Sequence, residues 1–322
     1  MALGGGSVLS LIRTGRLRRV RITRLQMGTF VTITAVHPRA SRARELVEAG
    51  FTEMERLEAI LSRHRPTTPV ARLNREGRVD RVPHELIQVV ETAREVSEAS
   101  GGAFDVTVAP LLNLMASRAA AGRSPPSHAE IESVLKLVNF RDLDLDGGVL
   151  RFRRPGMALT LDGVAKGYIV DRTLDALVAA GAERALVDGG GDMASTGTPA
   201  PGESWQVAVR DPRDHLGSLG VVHLEGSAQG VATSGDYVQS FTPDRSVHHI
   251  LDPRTGRSPG EVSGVTVRAS SALKADVLST TAFVLGPREG KSFLESGGGV
   301  EGILVTKEGE EWATDGFLVR RS

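Results

Sequence analysis

The spacing of apolar positions divides the chain into alternating helical and extended segments. Residues 20–26 and 30–36 alternate with period two and read as strands, broken at Met27-Gly28-Thr29. A helix from Ser41, as its cap, to about Arg63 carries an apolar stripe of Leu46, Val47, Met54, Leu57, Ile60 and Leu61. Pro83 suits the first turn of a second helix with Leu86, Val89, Val90, Ala93 and Val96 on one face and Gly101 as its stop. Residues 116–126 read as a mobile loop. Ser127 and Glu130 then form a capping box ahead of Ile131, Val134, Leu135 and Val138. In the second half, residues 149–153 and 157–161 read as a hairpin, and residues 164–180 as a helix stopped by Gly181. Short strands are predicted at 185–187, 205–209, 221–224, 231–233, 249–251 and 265–269. Ser271 caps a helix to Leu285, ended by Gly286-Pro287, and strands at 302–306 and 311–319 close the chain. Helices and hairpins mixed in this way predict an α+β fold with mixed, largely antiparallel sheets, not a regular βαβ series.

Composition narrows the functional classes. The 322 residues are 40% hydrophobic and 24% charged, with 39 basic and 39 acidic side chains balancing to zero. A phosphate-backbone binder carries a basic excess, so nucleic acid is a poor partner. Six arginines between Arg13 and Arg24 are the local exception. They suggest a basic, flexible arm over residues 1–19 leading into one domain over 20–322, either solvated or touching anionic lipid. The absence of cysteine excludes disulfides, thiolate metal sites and cysteine nucleophiles. No run reaches the ~18 apolar residues that span a bilayer. The arginines follow the short apolar start, a poor export signal without a lipobox, so the sequence reads as soluble and its compartment stays open.

Five segments could carry chemistry. Asp276 and Thr280 lie four apart in Ser271–Thr281 and so share a helix face. A carboxylate and a hydroxyl there offer hard oxygens suited to magnesium, unless the Asp simply bonds a neighbouring loop. Leu161-Asp162-Gly163-Val164-Ala165-Lys166-Gly167-Tyr168 places a lysine in the first turn of a helix, a phosphate-approaching arrangement or an ordinary surface turn. Val187-Asp188-Gly189-Gly190-Gly191-Asp192 lacks the G-x-G-x-x-G spacing and a long following helix. It reads as a tight turn against a ligand or a strand. His248-His249 puts one imidazole on each side of an extended segment, so one can face a site. Ser100-Gly101-Gly102-Ala103-Phe104-Asp105 delivers an aromatic and a carboxylate on a glycine turn, with a core Phe as the plain alternative.

Taken together and in order, these blocks resemble the ApbE-type FAD:protein FMN transferases. The matching segments also include Met27-Gly28-Thr29, Leu61-Ser62 through Arg72-Leu73-Asn74, His249-Ile250-Leu251-Asp252-Pro253-Arg254-Thr255-Gly256, and Ala275-Asp276 through Thr280. The resemblance covers about residues 20–285. It implies an ApbE-like fold and magnesium-dependent transfer of FMN from FAD to a Thr or Ser hydroxyl of an acceptor protein, with release of AMP. An FAD pyrophosphatase and an FAD carrier are the alternatives. It further implies that Met27, Ala103, Phe104, Asp105, Lys166 and Ile250 line the FAD site, with His64 where relatives carry an aromatic. Asp276, Thr280 and the carbonyl of Gly163 would bind magnesium with Ser279 beside them, and His249 would act near the transferred phosphate. One departure stands out. Relatives often carry Asp-Leu-Gly-Gly before Lys-Gly-Tyr, whereas this chain has Thr160-Leu161-Asp162-Gly163, the carboxylate displaced by two places onto the same side of a strand register. No D-G-x-[ST]-G-A-T acceptor segment occurs in the chain.

Overall fold

The computed structural model describes residues 8–14, 17–214, 217–226 and 229–317. In chain order the elements are β1 (Val8–Thr14), β2 (Leu17–Gln26), β3 (Thr29–His37), α1 (Ala40–Leu61), α2 (Pro69–Glu76), β4 (Arg78–Asp80), α3 (His84–Ala99), α4 (Ala109–Ala120) and α5 (His128–Leu135). They continue with β5 (Leu143–Asp146), β6 (Val149–Phe152), α6 (Ala165–Ala179), β7 (Ala185–Asp188), β8 (Met193–Thr196), β9 (Trp205–Arg210), β10 (Ser218–Leu224), β11 (Gln229–Gly235), β12 (Val262–Ala269), α7 (Ala272–Ser296), β13 (Glu301–Thr306) and β14 (Glu311–Ala313).

The expected α+β class holds. A nine-stranded sheet runs in the order β1-β2-β3-β7-β8-β11-β12-β13-β14, with antiparallel neighbours throughout. Helices α1, α6 and α7 form a layer on one face. The β9–β10 hairpin covers part of the other face, where Trp205, Val207, Val209, Val222 and Leu224 pack on Val36, Val231 and Ile303. Strands β3 and β12 are therefore buried almost without interruption instead of alternating. Helix α1 keeps the predicted stripe, burying Leu46, Val47, Phe51, Met54, Leu57 and Leu61 along one side. Each such side chain contributes roughly 1.5–3 kcal/mol by leaving water.

Several expectations need correction. The described part of the basic arm is ordered sheet: β1 pairs with β2 from Val8↔Thr23 to Thr14↔Leu17. Residues 1–7 and 15–16 lie outside the described set. The hairpin sits one segment earlier than expected, β5 pairing with β6 across Gly147-Gly148. Residues 157–161 form no strand. Asn74 of α2 satisfies their backbone instead of a strand partner, its Nδ2 donating to Leu159 O at 2.8 Å and its Oδ1 accepting from Leu159 N at 2.6 Å. A side chain at a distant position satisfies that backbone, which local periodicity cannot reveal. Much of the expected mobile loop is the end of α4, which runs to Ala120. Residues 249–251 form no strand; isolated bridges flank them, Ser240↔His248 on one side and Asp252↔Arg257 on the other. Arg39, not Ser41, caps α1, and its N–H donates to His37 Nδ1 at 3.0 Å. The last strand stops at Ala313, and residues 318–319 of the expected one lie outside the described set. Two signals held closely: the Ser127–Glu130 capping box is formed, and Ser271 caps α7 by accepting from Lys274 N at 3.1 Å. The chain breaks at Gly286 as expected, with φ 83, although a further helical stretch continues from Pro287.

Among the described residues no helix is long and apolar enough to cross a membrane.

Candidate functional site

The N-terminal ends of α6 and α7 meet beside the turn that joins β7 to β8. Asp171 on α6 clamps the start of α7, its carboxylate accepting from Ala272 N and Leu273 N at 2.8 Å each. Such capping orders two of the free N–H groups at a helix start. The helices approach so closely that a Cβ on Gly167 would lie 2.4 Å from Ala272 O and 2.8 Å from Asp276 Cβ. Only glycine fits there, and its N–H donates to Asp276 Oδ2 at 3.0 Å.

Asp276 is 3% exposed. Burial pushes its carboxyl well up, with repulsion from Asp192 adding to it and the attraction of Lys166 opposing it. A carboxyl in that condition gains most from a cation. One helical turn on, Thr280 Oγ1 lies 3.0 Å from Ser234 Oγ, and Ser234 Oγ lies 2.9 Å from Ser279 Oγ. Ser279 also donates to the Asp276 carbonyl at 2.9 Å, so its hydroxyl is committed to α7 itself. Gly163 abuts this group: a Cβ there would be 3.2 Å from Thr280 Oγ1 and 3.3 Å from Phe104 Cε2. Among the described residues no three His, Asp or Glu side chains converge as a metal-binding group. The side chains gathered here are instead a buried carboxylate and hydroxyls, all hard oxygens. That set fits magnesium, which retains water and shares substrate phosphates, and does not fit zinc.

Lys166 Nζ donates to Asp192 Oδ2 at 2.7 Å. Burial disfavours its charge, but Asp192 and Asp276 outweigh burial and hold the ammonium above its ordinary range. Lys166 is therefore a fixed positive charge. Asp162 is exposed and paired with Arg63, whose Nε lies 2.9 Å from Oδ2. It stands near enough for its charge to act on Lys166, His249 and Asp276. Since residues 157–161 belong to no sheet, the displaced carboxylate is set by the Leu161–Val164 turn and not by a strand register.

Met27, with φ 52, brings Cε to the Gly189 turn, 3.5 Å from where a Gly189 Cβ would stand. Ala103, Phe104 and Ile250 are buried, and Phe104 meets Gly163 as described. Asp105 is committed to its own loop. Its Oδ1 accepts from Thr107 N at 2.7 Å and Thr107 Oγ1 at 2.6 Å, and its Oδ2 from Phe140 N at 2.8 Å. That carboxylate shapes the 103–105 turn and has little left to offer a ligand. His64 is exposed, its N–H held by Ser62 Oγ at 3.2 Å.

The two histidines face different surroundings. His249 Nδ1 lies 3.0 Å from Gln239 O, an acceptor only, so Nδ1 carries the proton and Nε2 keeps its lone pair. Burial lowers its pKa, which favours that neutral, basic form. His248 is fully buried, edge-on to Phe283 at 5.5 Å, with Nε2 donating to Pro259 O at 3.2 Å. Burial lowers its pKa from 6.5 to about 4. Below pH 6.5 the unfolded chain takes up a proton that the folded chain refuses until about pH 4. Stability is thus full above pH 6.5 and falls between these values, by about 3 kcal/mol for this group. In urea unfolding, wild type should lose about 2 kcal/mol more stability than His248→Phe between pH 7 and pH 4.5. A constant gap contradicts the linkage.

Sequence reasoning missed two members of the site. Ser234 bonds both α7 hydroxyls from a neighbouring strand, and no sequence spacing announces that contact. Asp192 was read only as part of a glycine turn, although an acid closing that turn beside a helix-start lysine was the available signal.

A sequence profile of the ApbE family matches residues 27–304. The chain belongs to the ApbE family. It is 32% identical over 269 residues to the FAD:protein FMN transferase of Klebsiella pneumoniae (strain 342), spanning 81% of this chain and 82% of that protein. It is 29% identical over 304 residues to the FAD:protein FMN transferase of Escherichia coli (strain K12), spanning 89% and 84%. The ApbE fold is equally plain in three dimensions. The apo flavinyl transferase ApbE of Pseudomonas stutzeri superposes with a TM-score of 0.79 at 30% identity, covering 98% of this chain and 97% of that one. The ApbE protein of Thermotoga maritima superposes with a TM-score of 0.82 at 29% identity, covering 94% and 99%.

Proposed function

We propose that this chain is a magnesium-dependent FAD:protein FMN transferase, moving FMN from FAD onto a Thr or Ser hydroxyl of an acceptor protein and releasing AMP. The observation that carries the reading is the meeting of a buried, cation-seeking carboxylate with hydroxyls and a fixed ammonium at two clamped helix starts, in a member of the ApbE family. Such a site suits a diphosphate, whose charge must be neutralised before attack.

Asp276, Thr280 and the Gly163 carbonyl would hold magnesium, with Ser279 fixing the α7 turn that presents them. When bound, the ion supplies neutralisation of the diphosphate and polarisation of the reacting phosphorus–oxygen bond. Lys166 adds positive charge at the same diphosphate. Met27, Ala103, Phe104 and Ile250 supply apolar surface for the flavin half, on a turn that Asp105 shapes. His64 and Asp162 lie at the exposed margin. His249 accepts the proton of the acceptor hydroxyl at Nε2 while Gln239 O fixes the ring through Nδ1. The hydroxyl oxygen bonds to the FMN phosphorus, the bond from that phosphorus to the bridging oxygen breaks, and AMP departs with the bridging oxygen. Atoms and charge balance without any other reactant.

His249→Ala should lower FMN transfer by about 10²–10⁴-fold, the usual range for a general base. Single-turnover transfer followed by flavin fluorescence of the acceptor band reads this directly. An undiminished rate removes histidine from the scheme.

A further inference from the structure

Asp192 has no part in the scheme above, yet at 1% exposure it is as enclosed as Asp276. Its Oδ2 holds Lys166, while its Oδ1 has no hydrogen-bond partner. An unsatisfied buried oxygen of this kind is unfavourable by about 1–3 kcal/mol, and by more when it is charged. The turn is nevertheless built to keep it in place. Gly189 N donates to Asp192 O at 2.8 Å, and Asp188 Oδ1 accepts from Gly190 N at 2.9 Å. A Cβ on Gly189 would stand 2.7 Å from Val170 Cγ2, so only glycine lets the turn close onto α6. Asp192 and Asp276 are close enough to repel each other, and Lys166 is attracted to both. Two carboxylates compete for one ammonium, and burial together with this repulsion holds the Asp276 carboxyl well above its ordinary range. A divalent cation between them would relieve the repulsion and suit the pocket to a diphosphate.

We infer that Asp192 is a second carboxylate of the divalent-cation site, offering Oδ1 from the β7–β8 turn opposite Asp276 on α7, while Lys166 fixes its rotamer through Oδ2. The inference rests on the magnesium reading and deepens it. Asp192 thereby links the two positive charges of the site, the ammonium on one oxygen and the cation on the other. Loss of this carboxylate weakens the cation and frees the lysine together.

The test is Mn²⁺ binding to the whole protein without FAD, followed by the electron paramagnetic resonance signal of free aqueous Mn²⁺. Asp192→Asn should weaken binding at least about tenfold, with Asp276→Asn as the reference for loss of an assigned ligand. Affinity within twofold of wild type in Asp192→Asn, alongside lost binding in Asp276→Asn, overturns the role of Asp192 and leaves the magnesium reading standing. A wild-type protein that binds no Mn²⁺ overturns both. Anomalous diffraction from wild-type crystals soaked in Mn²⁺ needs no variant to fold. A peak about 2.1 Å from Asp192 Oδ1 is expected, and a peak on Asp276 with Asp192 out of reach overturns the inference.

Discussion

Asp276→Ala is expected to lower metal-dependent AMP release from FAD by about 10³-fold or more. A metal's stabilisation of developing charge amounts to several kcal/mol, and each 1.36 kcal/mol is a factor of ten in rate. The fold should survive the change. Asp276 accepts one bond, from Gly167 N at 3.0 Å, and its removal also relieves the burial of a carboxylate beside Asp192. The thermal midpoint should therefore move far less than the rate does. Chromatographic measurement of AMP from FAD with magnesium, paired with a melting curve, separates the two effects. Wild-type turnover in this variant refutes the metal assignment.

Gly167→Ala should strike stability and activity together. The added methyl would meet Ala272 O at 2.4 Å and Asp276 Cβ at 2.8 Å, both parts of a helix that cannot swing aside as a flexible side-chain end can. Overpacking of this kind costs typically 1–3 kcal/mol, and the rigid partners place this case at about 3 kcal/mol. Moving α6 from α7 also pulls Gly163 and Lys166 away from Asp276 and Thr280. Denaturant unfolding should show the loss, and Mn²⁺ affinity should fall with it. Equal stability and affinity in the variant would mean that the helix starts need not touch for the site to form.

The legible part of this molecule is what local periodicity and capping chemistry encode. The stripe of α1, the Ser127–Glu130 box, the Ser271 cap and the Gly286-Pro287 break all depend on neighbours within one or two turns, and each was readable. Asp276 and Thr280 were readable for the same reason, since four residues on a helix fix a shared face. What could not be read depends on long-range partners. Leu159 is bonded by Asn74, 85 positions away, so its segment resembles a strand without joining a sheet. Thr280 meets Ser234 across 46 positions, and Lys166 meets Asp192 across 26. By composition the N-terminal segment reads as a basic, flexible arm, because its arginines dominate it. β1 pairs with β2 along its whole length, and Arg19 and Arg24 of β2 find partners on opposite faces, Glu203 beside Trp205 and Glu48 beside Phe51. Asp105 shows the converse limit. A motif placed it at the ligand, while its hydrogen bonds to Thr107 and Phe140 give it a structural task.

The transferase reading is tested most directly by intact-mass analysis of a peptide carrying a D-G-x-[ST]-G-A-T segment after incubation with the enzyme, FAD and magnesium. The account predicts a peptide heavier by one FMN moiety, with one AMP released for each. An unmodified peptide beside free FMN and AMP would show water as the true acceptor, and intact FAD would show a carrier; either result contradicts it.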